Sequence, residues 1–383
     1  MRIAYICTDP GIPVFGNKGA SIHVQEMLRA FLALGAEVAL ISPRLDDPAP
    51  DDLASIRLVP LPALPKGAPK DRERRMIAMN RNVAAALADL GRLDLIYERH
   101  ALFAHSAMEL AARNGVAGVL EVNAPLIEEQ ARHRMLSLVK EAETGARRAM
   151  AAAALVTAVS PKVARYAREH GAPRVQVIPN AVDPARFPPR PAPGGPFTIG
   201  FLGTLKPWHD VATLIDAFAR LRAEAAADAR LLIVGEGPER RAYAARLAVL
   251  GLGEAAEFTS ALPAAEVPAA LARMHVAVAP YSRAQEFYFS PLKIYEYMAA
   301  GLPVVASKVG HLSEIIREGR TGLLCPPDDP DALAAVLARL AGDGALRSRL
   351  GQAARAEVLA HHTWQGVATQ VLSLAGLKVA VAA

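Results

Sequence analysis

The chain has 383 residues, of which 52% are hydrophobic and 21% charged, with a formal net charge of +5. That length suits two domains better than one, and no apolar run approaches the roughly 18 uncharged residues of a membrane-spanning helix. Cys7 and Cys325 are the two cysteines, too few and too far apart for a disulfide framework or a zinc site. The charge is uneven: residues 1–190 hold 25 Lys and Arg against 20 Asp and Glu, a difference of +5, and residues 191–383 hold 18 of each. The excess includes Lys66, Lys70, Arg72, Arg74 and Arg75, then Arg132, Arg134, Lys140, Arg147 and Arg148. Interleaved Asp71, Glu73, Glu141 and Glu143 fit ordinary solvated helices, and the scarcity of aromatic residues there disfavours nucleic acid. A peripheral contact with an anionic membrane, or with an acidic acceptor, is the alternative reading.

Arg2–Cys7 reads as a core strand, entered with no signal segment ahead of it, so the expected location is cytoplasmic, with the inner membrane face as a possible contact. Gly11, Gly16 and Gly19 punctuate the loop that follows, residues 21–34 read as an amphipathic helix ended by Gly35, and Glu37–Ser42 as the next strand. This is a βαβ unit with a right-handed crossover. The glycine spacing is not G-x-G-x-x-G and no acid ends the second strand, so a dinucleotide site is poorly supported. Gly16, Asn17 and Gly19 could still let backbone amides approach a diphosphate or a sugar. Further strands are expected at residues 56–61, 93–97, 116–122, 155–158 and 175–178. Alternation with helical patterns gives an open, doubly wound α/β sheet, whose ligands bind beyond the C-terminal strand ends. Glu98, Arg99 and His100 follow one strand, and Glu121 and Asn123 lie at the end of another. For His100 the competing reading is a surface histidine without a role, and for Asn123 a structural hydrogen bond in a turn.

Residues 187–196 carry five prolines and two glycines, a stiff irregular linker that marks a domain boundary at about residue 190. A second alternating series follows, with strands at 197–202, 230–234, 256–259, 275–279 and 304–306. The expected organisation is an N-terminal domain over 1–190, a C-terminal domain over 191–360, and a segment over 361–383 returning to the first. Two such domains would leave a cleft that closes about the linker. Lys206 and His209, in the loop Gly203–Asp210, lie on the strand-end side and could meet phosphates. Residues 287–303 read as a loop feeding a short helix, with Ser290 as N-cap, Pro291 as first helical residue and a stop at Gly301. A helix N-terminus suits a phosphate, and Glu296 could accept hydrogen bonds from sugar hydroxyls. Otherwise Glu296 is a solvated residue of an amphipathic helix.

The segments 177–183 (Val-Ile-Pro-Asn-Ala-Val-Asp), 233–238 (Ile-Val-Gly-Glu-Gly-Pro), 290–305 (Ser-Pro-Leu-Lys-Ile-Tyr-Glu-Tyr-Met-Ala-Ala-Gly-Leu-Pro-Val-Val) and 318–324 (Glu-Gly-Arg-Thr-Gly-Leu-Leu) resemble the retaining, nucleotide-sugar-dependent glycosyltransferases of family four. The resemblance implies the GT-B arrangement, two Rossmann-like domains facing each other across a cleft. It places Glu296 as the second acid of the E-x7-E pattern, on the ribose, with Ser290, Pro291, Leu292 and Lys293 around the distal phosphate and sugar. Glu236 and Leu262 fall in loops flanking base and ribose. Tyr288 replaces the first acid of that pattern, and Thr204 and His209 stand where the family usually has Arg and Lys. Lys206, Lys293 and His209 would compensate.

The implied reaction moves a hexosyl unit from a nucleoside diphosphate sugar, UDP-linked, to an acceptor, with retention by front-face attack. No metal or other cofactor is expected. His100, Lys206 and His209 are the candidate catalytic groups, and Glu98, Arg99 and Asn123 the candidate acceptor-binding ones. The acceptor would be a sugar, a lipid-linked or a small molecule, and no nucleic acid. A GT-B-like sugar-nucleotide epimerase and a non-catalytic scaffold are the alternatives.

Overall fold

The computed structural model describes residues 1–383 apart from 66, 134, 190, 192, 285, 289 and 379–383. Lys66 and Arg134 of the basic excess lie outside the described residues. The chain divides into two compact units: Met1–Asn180 with Tyr288–Ser290 and Trp364–Ala383, and Ala181–Phe287 with Pro291–Thr363. The proline-rich stretch 187–196 falls wholly in the second.

The strands of the first unit are β1 (Arg2–Cys7), β2 (Glu37–Ser42), β3 (Arg57–Pro60), β4 (Leu95–Arg99), β5 (Ala117–Val122), β6 (Leu155–Ala158) and β7 (Val175–Val177). They form one parallel sheet in the order β3-β2-β1-β4-β5-β6-β7. Its helices are α1 (Gly19–Ala33), α2 (Pro69–Asp89), α3 (Ser106–Asn114), α4 (Leu126–His133), α5 (Val139–Ala152) and α6 (Pro161–Glu169). Helices on both faces of a parallel sheet require strands apolar on both sides, and residues 3–7 of β1 are accordingly all buried. Ile6, Ile96, Leu120 and Val156 pack with Met108, Met150 and Val163 in the core. Glu98 and Arg99, expected just after a strand ending at 97, lie within β4, because pairing with β1 carries the ladder on to Cys7 opposite Arg99.

In the second unit β8 (Thr198–Leu202), β9 (Arg230–Val234), β10 (Ala256–Thr259), β11 (Val276–Ala279), β12 (Val304–Ser307) and β13 (Gly322–Cys325) form a parallel sheet in the order β10-β9-β8-β11-β12-β13. Its helices are α7 (Val211–Glu224), α8 (Arg240–Val249), α9 (Val267–Leu271), α10 (Leu292–Ala299), α11 (Leu312–Ile315), α12 (Pro330–Gly342) and α13 (Gly344–His361). The last helix, α14 (Trp364–Leu374), belongs to the first unit and packs on α1. Phe201, Ile233, Val278 and Val305 form the second core with Leu214, Phe218 and Leu337.

Each sheet reverses its strand order once, between β1 and β4 and between β8 and β11. Connections leave the two neighbouring strands in opposite directions there, opening a crevice at their C-terminal ends that is the usual ligand site of such sheets.

Candidate functional site

In the second unit the reversal point lies beside Leu202 and Ala279, and the loops after β8 and β9 cross one another closely there. Gly203 donates to the Val234 carbonyl at 2.9 Å and Leu205 to that of Glu236 at 2.8 Å. A Cβ on Gly235 would lie 2.1 Å from the Gly203 oxygen, and one on Gly237 2.3 Å from the Leu205 oxygen. These glycines are therefore required for the crossing itself, and Gly203 and Gly235 also hold φ of +142° and +138°, where a side chain would be strained. Glu236 is exposed on this loop and pairs with Arg240 at 2.7 Å. Thr204 is exposed and Leu262 half-buried.

His209 ends a 3₁₀ turn over Pro207–His209, and its Nδ1 lies 2.5 Å from the Thr204 carbonyl oxygen. A carbonyl only accepts, so Nδ1 carries the proton. Burial and the neighbouring Lys293 charge bring the imidazole down to about 3, which keeps it neutral. Lys206 is half-buried, with its ammonium 5.7 Å from the centre of the Trp208 ring. Asp210, at φ +44°, caps α7 by accepting from Thr213.

α10 begins beside these loops. Pro291 occupies its cap position with an extended backbone (ψ 119°), and no side chain caps the helix. Ser290 is thus not the N-cap the sequence suggested. One residue further back and outside the turn, its hydroxyl instead accepts from the Asn180 backbone at 2.9 Å. Pro291 and Leu292 are half-buried, and Lys293 on the first turn is buried. The Lys293 Nζ lies 4.1 Å from the centre of the Phe201 ring and 5.9 Å from that of Tyr281, with no hydrogen-bond partner among the described residues. Desolvation brings this ammonium down to about 7 against the partial opposition of Glu296. Glu296 is half-buried one turn along.

In the first unit Glu121 is the hub of a buried network. It accepts from the Tyr97 hydroxyl at 2.6 Å and from Arg99 at 3.0 Å, while His23 Nε2 lies 2.6 Å from its Oε1 and Asn123 bonds the same oxygen. These partners hold its carboxyl far below the usual range despite burial. Arg99 and Asn123, expected to meet an acceptor, each hydrogen-bond this carboxylate. His23, Tyr97 and Trp364, which stacks edge-on to His23 at 4.7 Å, complete the group. Sequence reasoning missed these three, because only the fold brings residue 23 beside 121 and 364.

Glu98 and His100 differ from this network. Both are buried, and Glu98 Oε2 and both His100 ring nitrogens have no hydrogen-bond partner among the described residues. Burial raises Glu98 to about 8 and, with His170 nearby, lowers His100 to about 4, so both are neutral at pH 7. Glu98 faces a small cavity shared with Thr8, Met76, Met79, Asn80 and Val83. Gly16 is buried and its carbonyl accepts from Gln25 at 3.0 Å, whereas Asn17 and Gly19, at the start of α1, are exposed. Tyr288 donates to Glu129 at 2.8 Å, and its carbonyl accepts from Ser160 at 2.8 Å.

Among the described residues, no cluster of three or more His, Cys, Asp or Glu is arranged to hold a metal ion. Asp329 and Asp331 lie at a helix start, where Asp329 caps α12 and Asp331 pairs with Arg220.

The profile of the family "Glycosyl transferases group 1" matches residues 196–343, and that of "Glycosyltransferase Family 4" matches residues 17–186. A 2-deoxystreptamine glucosyltransferase from Streptomyces kanamyceticus is 30% identical over 369 residues, covering 85% of this chain and 90% of that one. The MMP alpha-(1->4)-mannosyltransferase of Mycolicibacterium hassiacum is 33% identical over 204 residues, or 52% of this chain. The chain spans 48% of that mannosyltransferase, 47% of a Mycobacterium tuberculosis glycogen synthase and 21% of a Streptomyces coelicolor exopolysaccharide phosphotransferase.

Among solved structures, sucrose-phosphate synthase from Thermosynechococcus elongatus superposes with a TM-score of 0.76 at 23% identity, covering 98% of each chain. Anabaena HepE, solved with UDP and glucose, gives 0.71 at 20% identity over 98% of this chain and 100% of that one. Two parallel-sheet Rossmann-like units, each matched by its own profile, and a relative alike across nine-tenths of its length lead to one assignment: the chain belongs to the group 1 glycosyltransferases of family four and has the GT-B fold.

Proposed function

We propose that the protein transfers a hexosyl unit from a nucleoside diphosphate sugar, UDP-linked, to an acceptor hydroxyl, with retention of anomeric configuration and without a metal. The observation that carries this reading is the convergence at the second sheet's reversal point. The uncapped N-terminus of α10 and the unpartnered Lys293 side-chain nitrogen meet there beside the crossed loops of Gly203 and Gly235. The free amides and dipole of a helix start favour a diphosphate, and a buried lysine able to pair with it strengthens that preference. UDP is the diphosphate chosen because HepE, of the same fold, is solved with UDP-glucose. Glu296 is assigned to the ribose, with Glu236 and Leu262 flanking the nucleoside. Lys293 and Lys206, with the α10 amides, would stabilise the charge that develops on the leaving diphosphate.

The first unit is assigned to the acceptor, through Glu98 and His100 at its own reversal point and the exposed Asn17 and Gly19 start of α1. Relatives include a 2-deoxystreptamine glucosyltransferase and a phosphatidyl-myo-inositol mannosyltransferase, so a polyol or a lipid-linked acceptor is the class to screen. No described helix is long and apolar enough to cross a membrane, and any membrane contact in this reading is peripheral. Incubation with UDP-glucose or UDP-N-acetylglucosamine and an acceptor panel, in EDTA, tests the proposal. An α-linked product supports it, and a β-linked product or a strict divalent-ion requirement overturns the retaining or metal-free part. A second reading draws on the neutral, buried Glu98 and His100, which have the form of an acid–base pair for sugar-nucleotide epimerisation. Epimerised donor without acceptor would favour it.

A further inference from the structure

Lys293 is an unusual residue to find buried. Its Nζ sits against the face of Phe201, and the Cβ that Gly203 lacks would lie 2.6 Å from it. The glycine therefore leaves the room the amine occupies. The ionisable groups that face it come from three places. His209, from the loop after β8, is tied through Nδ1 to the Thr204 carbonyl and carries no charge. Tyr281, from the loop after β11, presents its ring. Glu296 and Tyr297 lie on α10 itself, where Glu296 acts on the amine through space and the Tyr297 hydroxyl accepts from the Leu202 backbone at 2.7 Å. Among the described residues, no carboxylate or carbonyl is hydrogen-bonded to Nζ. An ammonium in such a place is desolvated without a hydrogen-bonded anion, and only the through-space field of Glu296 offsets part of the cost.

We propose that donor binding is proton-coupled: Lys293 takes up one proton as the nucleoside diphosphate enters, and the ammonium so formed pairs with a diphosphate oxygen. The inference rests on the assignment of the α10 start as the donor site. The step balances simply. A neutral amine gains one proton from solvent, its lone pair forms the new N–H bond, and no other bond changes. The lowered basicity of the buried amine, down to about 7, is the state from which the proton is gained, and the incoming anion reverses the preference.

Titration calorimetry of the full chain with UDP at pH 8, in Tris and in HEPES, reads the proton directly from the dependence of the apparent enthalpy on buffer ionisation enthalpy. At that pH the terminal phosphate, with a second ionisation near pH ~6, contributes no proton of its own. The expected result is uptake close to one proton per UDP. Lys293→Arg, permanently charged, should bind UDP with no uptake. Lys293→Met should lose about 10–100-fold in affinity, the usual worth of a charge-assisted hydrogen bond. Tight UDP binding by the wild type without uptake overturns the proposal. So does uptake that persists in Lys293→Arg, which would place the proton on another group such as His209. If neither UDP, ADP nor GDP binds the wild type, the donor-site assignment itself falls and the proton step with it.

Discussion

His23 Nε2 lies 2.6 Å from Glu121 Oε1, joining the first helix to the fifth strand inside the first unit. Tyr97, Arg99 and Asn123 converge on the same carboxylate, so Glu121 organises the ends of β4 and β5. Glu121→Gln keeps the shape and removes the charge. The expected cost is about 3–5 kcal/mol, typical of breaking a buried pair on one side, read as a lowered Tm, with UDP affinity unchanged. Because its folded pKa is depressed, Glu121 contributes stability above pH ~4.5 that is lost as pH falls below it. The variant should therefore show a flatter acid-denaturation profile than the wild type. An unchanged profile would remove Glu121 from this role.

Lys293 makes the opposite contribution. Its folded value of about 7 lies below the ordinary 10.5, so folding expels a proton between those limits and stability from this group climbs as pH rises from 7 to 10.5. Without nucleotide, Lys293→Met should melt higher than the wild type at pH 6. The difference should be equivalent to a few kcal/mol, since each tenfold loss of proton affinity on folding corresponds to ~1.4 kcal/mol. The gap should close towards pH 10. Melting curves across that range check it, and a gap independent of pH would contradict it.

Gly235→Ala and Gly237→Ala would each drive a methyl into a backbone carbonyl of the neighbouring loop. Both should lower the Tm and abolish detectable UDP binding, because the loop crossing cannot persist. Gly253→Ala is the matched control, since a Cβ there meets nothing within 4 Å and its φ is not positive. It should change the Tm by no more than the ~1 kcal/mol that separates Gly from Ala in ordinary backbone.

Glu296→Ala tests the ribose assignment. Loss of hydrogen bonds from a carboxylate to sugar hydroxyls should weaken UDP at least ~10-fold while a 2′,3′-dideoxy UDP analogue binds both proteins alike. Equal UDP affinity in wild type and variant would remove Glu296 from the site.

Tyr288→Glu restores the acid that the family's E-x7-E pattern has at this position. Tyr288 donates to Glu129 here, so the substitution sets two carboxylates against one another and should lower the Tm, more steeply above pH ~5 than below it. Tyr288→Phe should cost only the hydrogen bond, about 1 kcal/mol. A Tyr288→Glu protein as stable as the wild type would show that the Glu129 contact is dispensable.

Much of this was legible in the sequence because parallel strands covered on both faces spell continuous apolar runs. Residues 2–7, 37–42, 155–158, 230–234 and 256–259 were bounded as the structure has them. β13 was not foreseen as a strand, since four residues opening on glycine give no such run. The resemblance drew attention to Glu296 and to the Ser290–Leu292 segment, but capping chemistry misled at Ser290, because Pro291 adopts an extended rather than a helical backbone. Burial was the least legible property. Nothing local distinguishes Lys293 from a surface lysine of an amphipathic helix, or Glu121 from a strand-end acid, until the sheet order places Phe201 under the one and His23 beside the other.

The first unit takes its last helix, α14, from beyond Thr363 and a short strap from Tyr288–Ser290. During synthesis the N-terminal sheet therefore emerges long before the helix that covers α1 and presents Trp364 to His23. At ribosomal speeds of about 5–20 residues per second, the chain from Ala181 to Thr363 takes roughly 10–40 s to appear. For that interval the nascent first unit keeps the α14-binding side of α1 uncovered, while the second unit, Ala181–Phe287 with Pro291–Thr363, is complete once Thr363 has emerged. The order of completion is thus the reverse of the order of translation, and the chain's earliest-made sheet is the last to be sealed.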